Sequence, residues 1–233
     1  MLIDAGTNIC EKELTSYIDS LNITKFDYII ATHAHEDHIG SMDAVIKKYD
    51  VEKILFSKHT TTTKTFENFA IAVKDKGLKL YAPTVNEEFI FQDSKFIVLA
   101  PNSSKYDDIN NYSIVIKLIY NDTSYLFTGD AESLSEKEML ENNLDLSADV
   151  LKIGHHGSKS STSQDFLNAV NPKYAVISVG KDNDYGHPKA SVMNRLKKSN
   201  ISVYRTDELG TITLTSDGKN ILFDKEPGTY NGK

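Results

Sequence analysis

The sequence predicts an α/β fold in which two mixed β-sheets lie between outer helices. The first observation behind this prediction is that short apolar runs typical of strands alternate with segments whose apolar residues recur at helical spacing. The second is composition: 233 residues with 39% hydrophobic and 25% charged side chains are ordinary for a globular chain. We expect one domain over residues 1–223 and a polar tail or linker at 224–233, where polar residues accompany glycine and proline.

The first half of the chain is expected to begin with a strand at Leu2-Ile3, followed by a helix with apolar residues at positions 14, 17, 18 and 21. The same helical spacing recurs at 42–49 and 66–73, and Gly77 is expected to cap the second of these helices. Further strands are expected at 26–32, 53–56, 78–82, 89–92 and 95–100.

The second half is expected to open with a hairpin, because strand-like segments at 113–120 and 124–128 flank Asn121 and Asp122. Helices are expected at 133–142, 163–170 and 188–199, and strands at 149–153, 174–179, 201–205, 210–215 and 220–223. No apolar run approaches the roughly 20 residues that a bilayer span requires. The single cysteine, Cys10, excludes an internal disulfide framework.

The richest motif is His33-x-His35-x-Asp37-His38, which follows the strand expected at 26–32 directly. Imidazole and carboxylate groups suit Zn²⁺, Mn²⁺ or Fe²⁺. His33 and His35 are two residues apart and can point the same way, whereas Asp37 and His38 are adjacent and should diverge, as two neighbouring metal sites need. The alternative, a chance cluster on a solvated loop, is disfavoured because three of the seven histidines fall within six residues.

This motif resembles the HxHxDH signature of the metallo-β-lactamase-fold metallohydrolases. The segment from Leu2 to Thr7 resembles the first motif of that family, and Leu126-Phe127-Thr128-Gly129-Asp130 resembles its motif with a bridging aspartate. His155-His156-Gly157-Ser158 and Tyr185-Gly186-His187-Pro188 resemble the competence-protein (DNA-uptake channel) branch and its relatives among teichoic-acid phosphorylcholine esterases. The resemblance extends from Leu2 to about Thr215.

The resemblance implies a four-layer αβ/βα sandwich and two divalent cations, Zn²⁺ or Mn²⁺. The metal ligands that it implies are His33, His35, Asp37, His38, Asp130 and His156. Relatives usually place a β-hairpin before the Leu2-Ile3 strand, and we expect that this chain lacks it. Many relatives also carry a histidine between the first motif and the bridging aspartate. Here Asn110 is the most plausible substitute, or one cation has fewer protein ligands and the two sites differ in affinity.

Two further histidine positions have more than one interpretation. Because neighbouring side chains leave a strand in opposite directions, only one of His155 and His156 is expected to bind metal directly. We favour His156 and assign His155 to the pocket lining or to proton donation. His187 is a ligand, a contact to the substrate phosphate or a proton donor. The predicted catalytic residues are therefore Asp37, His155 and His187, whereas His59 is interpreted as a surface residue.

The predicted reaction is metal-dependent hydrolysis, in which bound cations produce hydroxide at neutral pH. The net charge of −7 argues against a generic nucleic-acid binder, but residues 150–205 hold nine basic against three acidic residues. This cationic segment favours an anionic phosphoester substrate, with DNA as a candidate. The first hypothesis is a phosphodiesterase or nuclease. Alternatives are a phosphorylcholine-type or other small phosphoester hydrolase and a metal-poor binding module.

The chain shows no signal peptide. Taken as given, the sequence predicts a cytoplasmic protein that makes no membrane contact. If the chain is a domain of a longer protein, we expect an extracytoplasmic location.

Overall fold

The computed structural model describes residues 1–233, and the chain divides into two compact units. The first unit comprises Met1–Thr84 and Ser103–Ile114, and the second comprises Val85–Asn102 and Val115–Lys233. Both units combine strands with helices, so the predicted α/β class is confirmed. No helix has the length and apolarity that crossing a membrane requires.

The first unit contains a four-stranded sheet in the order β1-β2-β3-β4. Its strands are β1 (Leu2–Ile3), β2 (Lys25–Ala31), β3 (Asp50–Phe56) and β4 (Leu80–Tyr81). Its helices are α1 (Glu11–Ser20), α2 (Glu36–Ile39), α3 (Met42–Lys48) and α4 (Lys64–Asp75). All three strand pairs of this sheet are parallel, whereas the sequence predicted a mixed sheet. The reason is that helices connect the successive strands, which brings each strand back in the same direction.

The core of the first unit follows from the predicted apolar spacing. Ile29 and Ile54 are fully buried in the sheet, and Met42, Val45 and Ile46 of α3 pack in the same cluster. Gly77 lies just after α4 with φ +70° and donates its N–H to the Lys74 carbonyl, as a glycine at a helix C-terminus does.

The second unit contains a seven-stranded mixed sheet in the order β11-β10-β9-β8-β7-β6-β5 and a separate β12–β13 hairpin. The strands are β5 (Glu88–Phe91), β6 (Ser94–Ala100), β7 (Val115–Tyr120), β8 (Thr123–Phe127), β9 (Val150–Lys152), β10 (Tyr174–Ile177), β11 (Ser202–Arg205), β12 (Leu214–Ser216) and β13 (Ile221–Phe223). The helices are α5 (Ser133–Glu141), α6 (Gln164–Val170), α7 (Ala190–Lys198) and α8 (Thr206–Leu209). The predicted turn at Asn121-Asp122 joins β7 to β8, whereas α8 was not predicted.

The segment at 224–233 makes specific contacts, although its composition predicted a disordered tail or linker. The Tyr230 hydroxyl donates to the Ile201 carbonyl at 2.8 Å, and its ring packs against the hydrophobic core. The backbone of Lys233 exchanges hydrogen bonds with Pro188 and Ala190. A single partly buried aromatic residue and backbone pairing therefore hold a segment whose composition is otherwise polar.

Candidate metal centre

The histidine-rich motif of the first unit lies beyond the carboxyl end of β2, and a glycine fixes the path of the chain after it. β2 ends at Ala31, and α2 begins at Glu36. A Cβ atom on Gly40 would overlap the backbone at Thr7 and Asn8. Glycine therefore allows the end of α2 to pack directly on the turn that follows β1.

His33 and His35 direct nitrogen atoms towards each other, with 3.0 Å between His33 Nε2 and His35 Nδ1. The Thr32 hydroxyl donates its proton to Asp4 Oδ2 at 2.9 Å and lies 3.1 Å from His33 Nδ1. Because that hydroxyl proton is used, the Thr32 oxygen accepts a hydrogen bond from His33 Nδ1–H. The lone pair of His33 Nε2 then faces His35, which is the arrangement that two ligands of one cation need.

His38 is oriented by Asp4. His38 Nδ1 donates to Asp4 Oδ2 at 2.6 Å, so the lone pair of His38 lies on Nε2. That Nε2 is 3.8 Å from Asp37 Oδ2, and each of the two residues offers a ligand atom within 4.8 Å of the other. Their donor atoms converge, contrary to the predicted divergence, because both lie on the helical turn α2 and not on an extended segment.

Asn110 belongs to the same unit and lies in the 3₁₀ turn Ile109–Tyr112. Asp108 caps this turn by accepting the Asn110 backbone N–H at 2.9 Å. Asn110 is 6% exposed, and its Oδ1 has no hydrogen-bond partner. Leaving a buried carbonyl oxygen without a donor costs free energy, so this atom fits a cation ligand better than a purely structural role.

His59, interpreted from the sequence as a surface residue, has an aromatic partner in the structure. Its ring stacks on Tyr112, with 4.4 Å between the ring centroids, and it is only partly exposed. Burial lowers the pKa of His59, and the nearby charge of His35 lowers it further. His59 therefore stays neutral to lower pH than an exposed histidine does.

In the second unit, Asp130 follows β8 after Gly129, which adopts a positive φ of +51°. Asp130 is 2% exposed, and its Oδ2 lies 3.5 Å from His156 Nε2 and 3.8 Å from His155 Nε2. Asp130 and His156 also offer ligand atoms within 4.8 Å of each other. A buried carboxylate that faces two imidazole nitrogens is electrostatically stable only with a proton or a cation between them.

His155 and His156 both turn their Nε2 atoms towards Asp130, contrary to the prediction that they diverge. Both adopt left-handed backbone conformations, with φ +46° and +53°, in the 3₁₀ turn Gly154–Gly157. His156 Nδ1 donates to the Ser178 carbonyl at 2.7 Å, and His155 Nδ1 donates to Glu132 Oε1 at 3.2 Å. The alternation rule failed because the strand ends at Lys152, before the motif.

His187 lies beside this group. It is 8% exposed, its ring lies 5.8 Å from that of His155, and its Nδ1 has no hydrogen-bond partner. The pKa of His187 is lowered from 6.5 to about 4, mainly by burial and additionally by the neighbouring charges of His155 and Lys189. His187 is consequently neutral at pH 7 and suits hydrogen bonding or metal binding better than donation of a full proton.

Three orienting groups escaped the sequence analysis: Asp4 on His38, Glu132 on His155 and the Ser178 carbonyl on His156. In the sequence Asp4 stands out only as part of a motif, and Glu132 has one signal, its position two residues after Asp130. A backbone carbonyl leaves no trace in a sequence. Each of these acceptors fixes the imidazole tautomer that a ligand needs.

The cationic segment at 150–205 is less available than its count suggested. Arg205 is 4% exposed and pairs with Asp207 at 2.6 Å, just beyond the end of the counted segment. Lys173 pairs with Asp149, and Lys152 donates to the Ile153 carbonyl. Formal charge counting therefore overestimated the positive field of this unit.

Comparison with known proteins identifies the class. A model of the Metallo-beta-lactamase superfamily matches residues 1–181. The chain therefore belongs to the metallo-β-lactamase superfamily, in which divalent metals, typically two, are bound and hydrolysis is the usual activity. The predicted family resemblance and fold are both confirmed.

Relatives of the chain include competence-related proteins. The chain is 35% identical over 202 residues to ComE operon protein 3 of Bacillus subtilis (strain 168). This alignment covers 87% of the chain and 26% of that protein. It is 30% identical over 217 residues to Competence protein ComA of Neisseria gonorrhoeae, and this alignment covers 91% of the chain and 28% of that protein. The chain thus spans about a quarter of the length of these curated relatives.

Among solved structures, the chain is similar to Tm1679, a metal-dependent hydrolase of the beta-lactamase superfamily. The TM-score is 0.56 at 10% identity, and the match covers 87% of this chain and 84% of that one. At this identity the similarity concerns the fold.

Proposed function

We propose that this chain is a metal-dependent phosphodiesterase of the nuclease type. The observation that carries the proposal is the tautomer of the candidate ligands. In both units a histidine uses its Nδ1–H in a hydrogen bond to an oxygen atom. The lone pair on its Nε2 then faces another candidate ligand atom. Such outer hydrogen bonds are typical of metal-binding histidines. The competence relatives favour a nucleic acid over other anionic esters.

We propose that the candidate ligands hold a pair of divalent cations, Zn²⁺ or Mn²⁺. The residues that would hold them are His33, His35, Asp37, His38, Asp130, His156 and Asn110. The buried Oδ1 of Asn110 supports this set, because an oxygen ligand there would be satisfied by a cation. Bound divalent cations supply Lewis acidity and lower the pKa of water.

The remaining site residues have roles that follow from their contacts. Glu132 accepts a hydrogen bond from His155 Nδ1, which orients the ring with its Nε2 towards Asp130. His155 is therefore our candidate for protonating the leaving oxygen. His187, neutral at pH 7, would hydrogen-bond the substrate phosphate or complete the metal shell.

The test is hydrolysis by the purified chain with Mn²⁺ or Zn²⁺, using labelled DNA strands and bis(p-nitrophenyl) phosphate. Asp37→Asn and Asp130→Asn should each reduce the rate by at least about 10³-fold, because a two-metal site supplies several kcal/mol of barrier reduction. The matched control is Asp43→Asn, which removes an ion pair with Lys47 on α3. Wild-type protein that binds metal but cleaves neither substrate would overturn the proposal.

The second candidate, a phosphorylcholine-type esterase, uses the same donors and differs only in substrate. Release of p-nitrophenol from its phosphorylcholine ester, without cleavage of DNA, would select it. Metal analysis separates both enzymes from a binding module, since a chain that holds no metal after reconstitution has no hydrolytic centre of this kind.

A further inference from the structure

Tyr185 is a large aromatic side chain that stands in solvent beside the candidate site. Its exposed fraction is 77%. One side of its ring lies against the buried His187, with 5.8 Å between the centroids and 20° between the ring planes. The rest of the Tyr185 ring surface is therefore open to solvent beside His187.

Lysine side chains hold the loop that carries Tyr185. Lys189 Nζ donates to the Tyr185 carbonyl at 2.6 Å, and Lys233 Nζ donates to the Lys181 carbonyl at 3.3 Å. Asp182 and Asp184 are exposed on the same loop and offset the formal charge of Lys181 and Lys189. Because nearby carboxylates offset their charge, these lysines attract only an anionic group that comes into direct contact with them.

The combination of an exposed ring and an adjacent ammonium group discriminates between ligand classes. A quaternary ammonium would be attracted to the tyrosine ring but repelled by Lys189, whose Nζ contacts the backbone carbonyl of the same residue. A nucleotide suits both features, because its base can stack on the ring and its phosphate can reach the ammonium. The bases of a duplex already stack on each other, so a single strand is the better partner.

We propose that Tyr185 is the base-stacking residue of a single-stranded DNA subsite, in which Lys189 contacts a phosphate next to the stacked base. The inference extends the proposed function, since it names the form of the substrate and the residue that holds it. The stacked nucleotide would lie beside His187 and direct the neighbouring phosphodiester towards His155, whose ring is 5.8 Å from that of His187.

The experiment measures binding without cleavage. Fluorescence anisotropy in EDTA compares a fluorescein-labelled oligothymidine with an abasic strand of the same length, using the full chain. Wild-type protein should bind the oligothymidine more tightly. Tyr185→Ala should weaken that binding about tenfold, which corresponds to about 1.4 kcal/mol, and should leave binding of the abasic strand unchanged.

Two variants make the result specific. Tyr185→Phe keeps the aromatic face and should bind oligothymidine as the wild type does. Tyr17→Ala removes another exposed tyrosine, on α1 of the first unit, and should change neither affinity. Equal affinity of the wild type for the two strands, or Tyr185→Ala binding oligothymidine as tightly as the wild type, would overturn the inference. Base-dependent binding without hydrolysis under any metal would instead retain the subsite and reject the phosphodiesterase.

Discussion

At the scale of single residues, hydrogen bonds to the candidate ligands determine what the site can bind. Asp4 accepts three donors, the Thr32 N–H, the Thr32 hydroxyl and His38 Nδ1. The sequence could predict that His38 binds metal, because ligand spacing is local. It could not predict that Asp4 orients His38, because 34 residues separate them and only the pairing of β1 with β2 brings them together.

Asp4→Asn should therefore weaken metal binding although Asp4 is not itself a predicted ligand. An amide in place of the carboxylate loses the charge that favours the Nδ1–H tautomer of His38, and changes of this kind cost about 10- to 100-fold in metal affinity. Isothermal titration calorimetry with Zn²⁺ measures the change, with Asp43→Asn, which removes an ion pair with Lys47, as the control. Unaltered affinity in Asp4→Asn would mean that Asp4 has only a structural role.

His187 should make the metal-free protein less stable in mild acid. Its pKa in the folded protein is about 4, below the ordinary 6.5, so the unfolded chain binds the proton more readily between these values. Stability then rises with pH from about 4 to about 6.5 and is lost as the pH falls through this window. Thermal unfolding in EDTA across this range should show a smaller decrease of Tm for His187→Gln than for the wild type. Parallel Tm curves for the two proteins would contradict this assignment.

At the scale of secondary-structure elements, the strands and helices could be predicted, but the turns that carry the site could not. Apolar spacing predicted most of the strands and helices to within a few residues, because burial of one face determines it. The left-handed turn at His155 and His156 has no such pattern. The same holds for α8 and for the contacts of Tyr230, which depend on neighbours distant in sequence.

Gly157 packs closely against the loop that carries His187, and for this reason Gly157→Ala should be costly. Gly157 has φ +83°, and a Cβ atom there would lie 2.6 Å from Pro188 Cβ. Gly77→Ala is the matched control, since Gly77 also has a positive φ, of +70°, but nothing within 4 Å of the added carbon. Both changes cost about 1–2 kcal/mol for backbone conformation, and Gly157→Ala should lose about 1–3 kcal/mol more through overpacking. Urea unfolding in EDTA measures both, and equal losses would refute the packing argument.

At the scale of the whole molecule, the proposed ligands are divided between two units that each have a hydrophobic core of their own. Asp37 and His38 belong to the first unit, and Asp130 and His156 to the second. A ligand that binds only the folded state stabilises it by mass action, by about 2.7 kcal/mol at a concentration 100 times the dissociation constant. If both donor groups bind the same cations, a substitution in either unit must reduce the stabilisation of the whole chain.

We therefore expect saturating Mn²⁺ or Zn²⁺ to raise the Tm of the wild type, and EDTA to reverse the increase. Asp37→Asn and Asp130→Asn should each lose most of this metal-dependent increase, although the two residues lie in different units. Asp43→Asn should keep it, because its carboxylate only pairs with Lys47. Calorimetric scans with and without metal measure the three variants under identical conditions. If Asp37→Asn removed the metal response of one unfolding transition and Asp130→Asn that of another, the cations would be bound separately. The shared two-metal site, and the hydrolytic mechanism that depends on it, would then have to be abandoned.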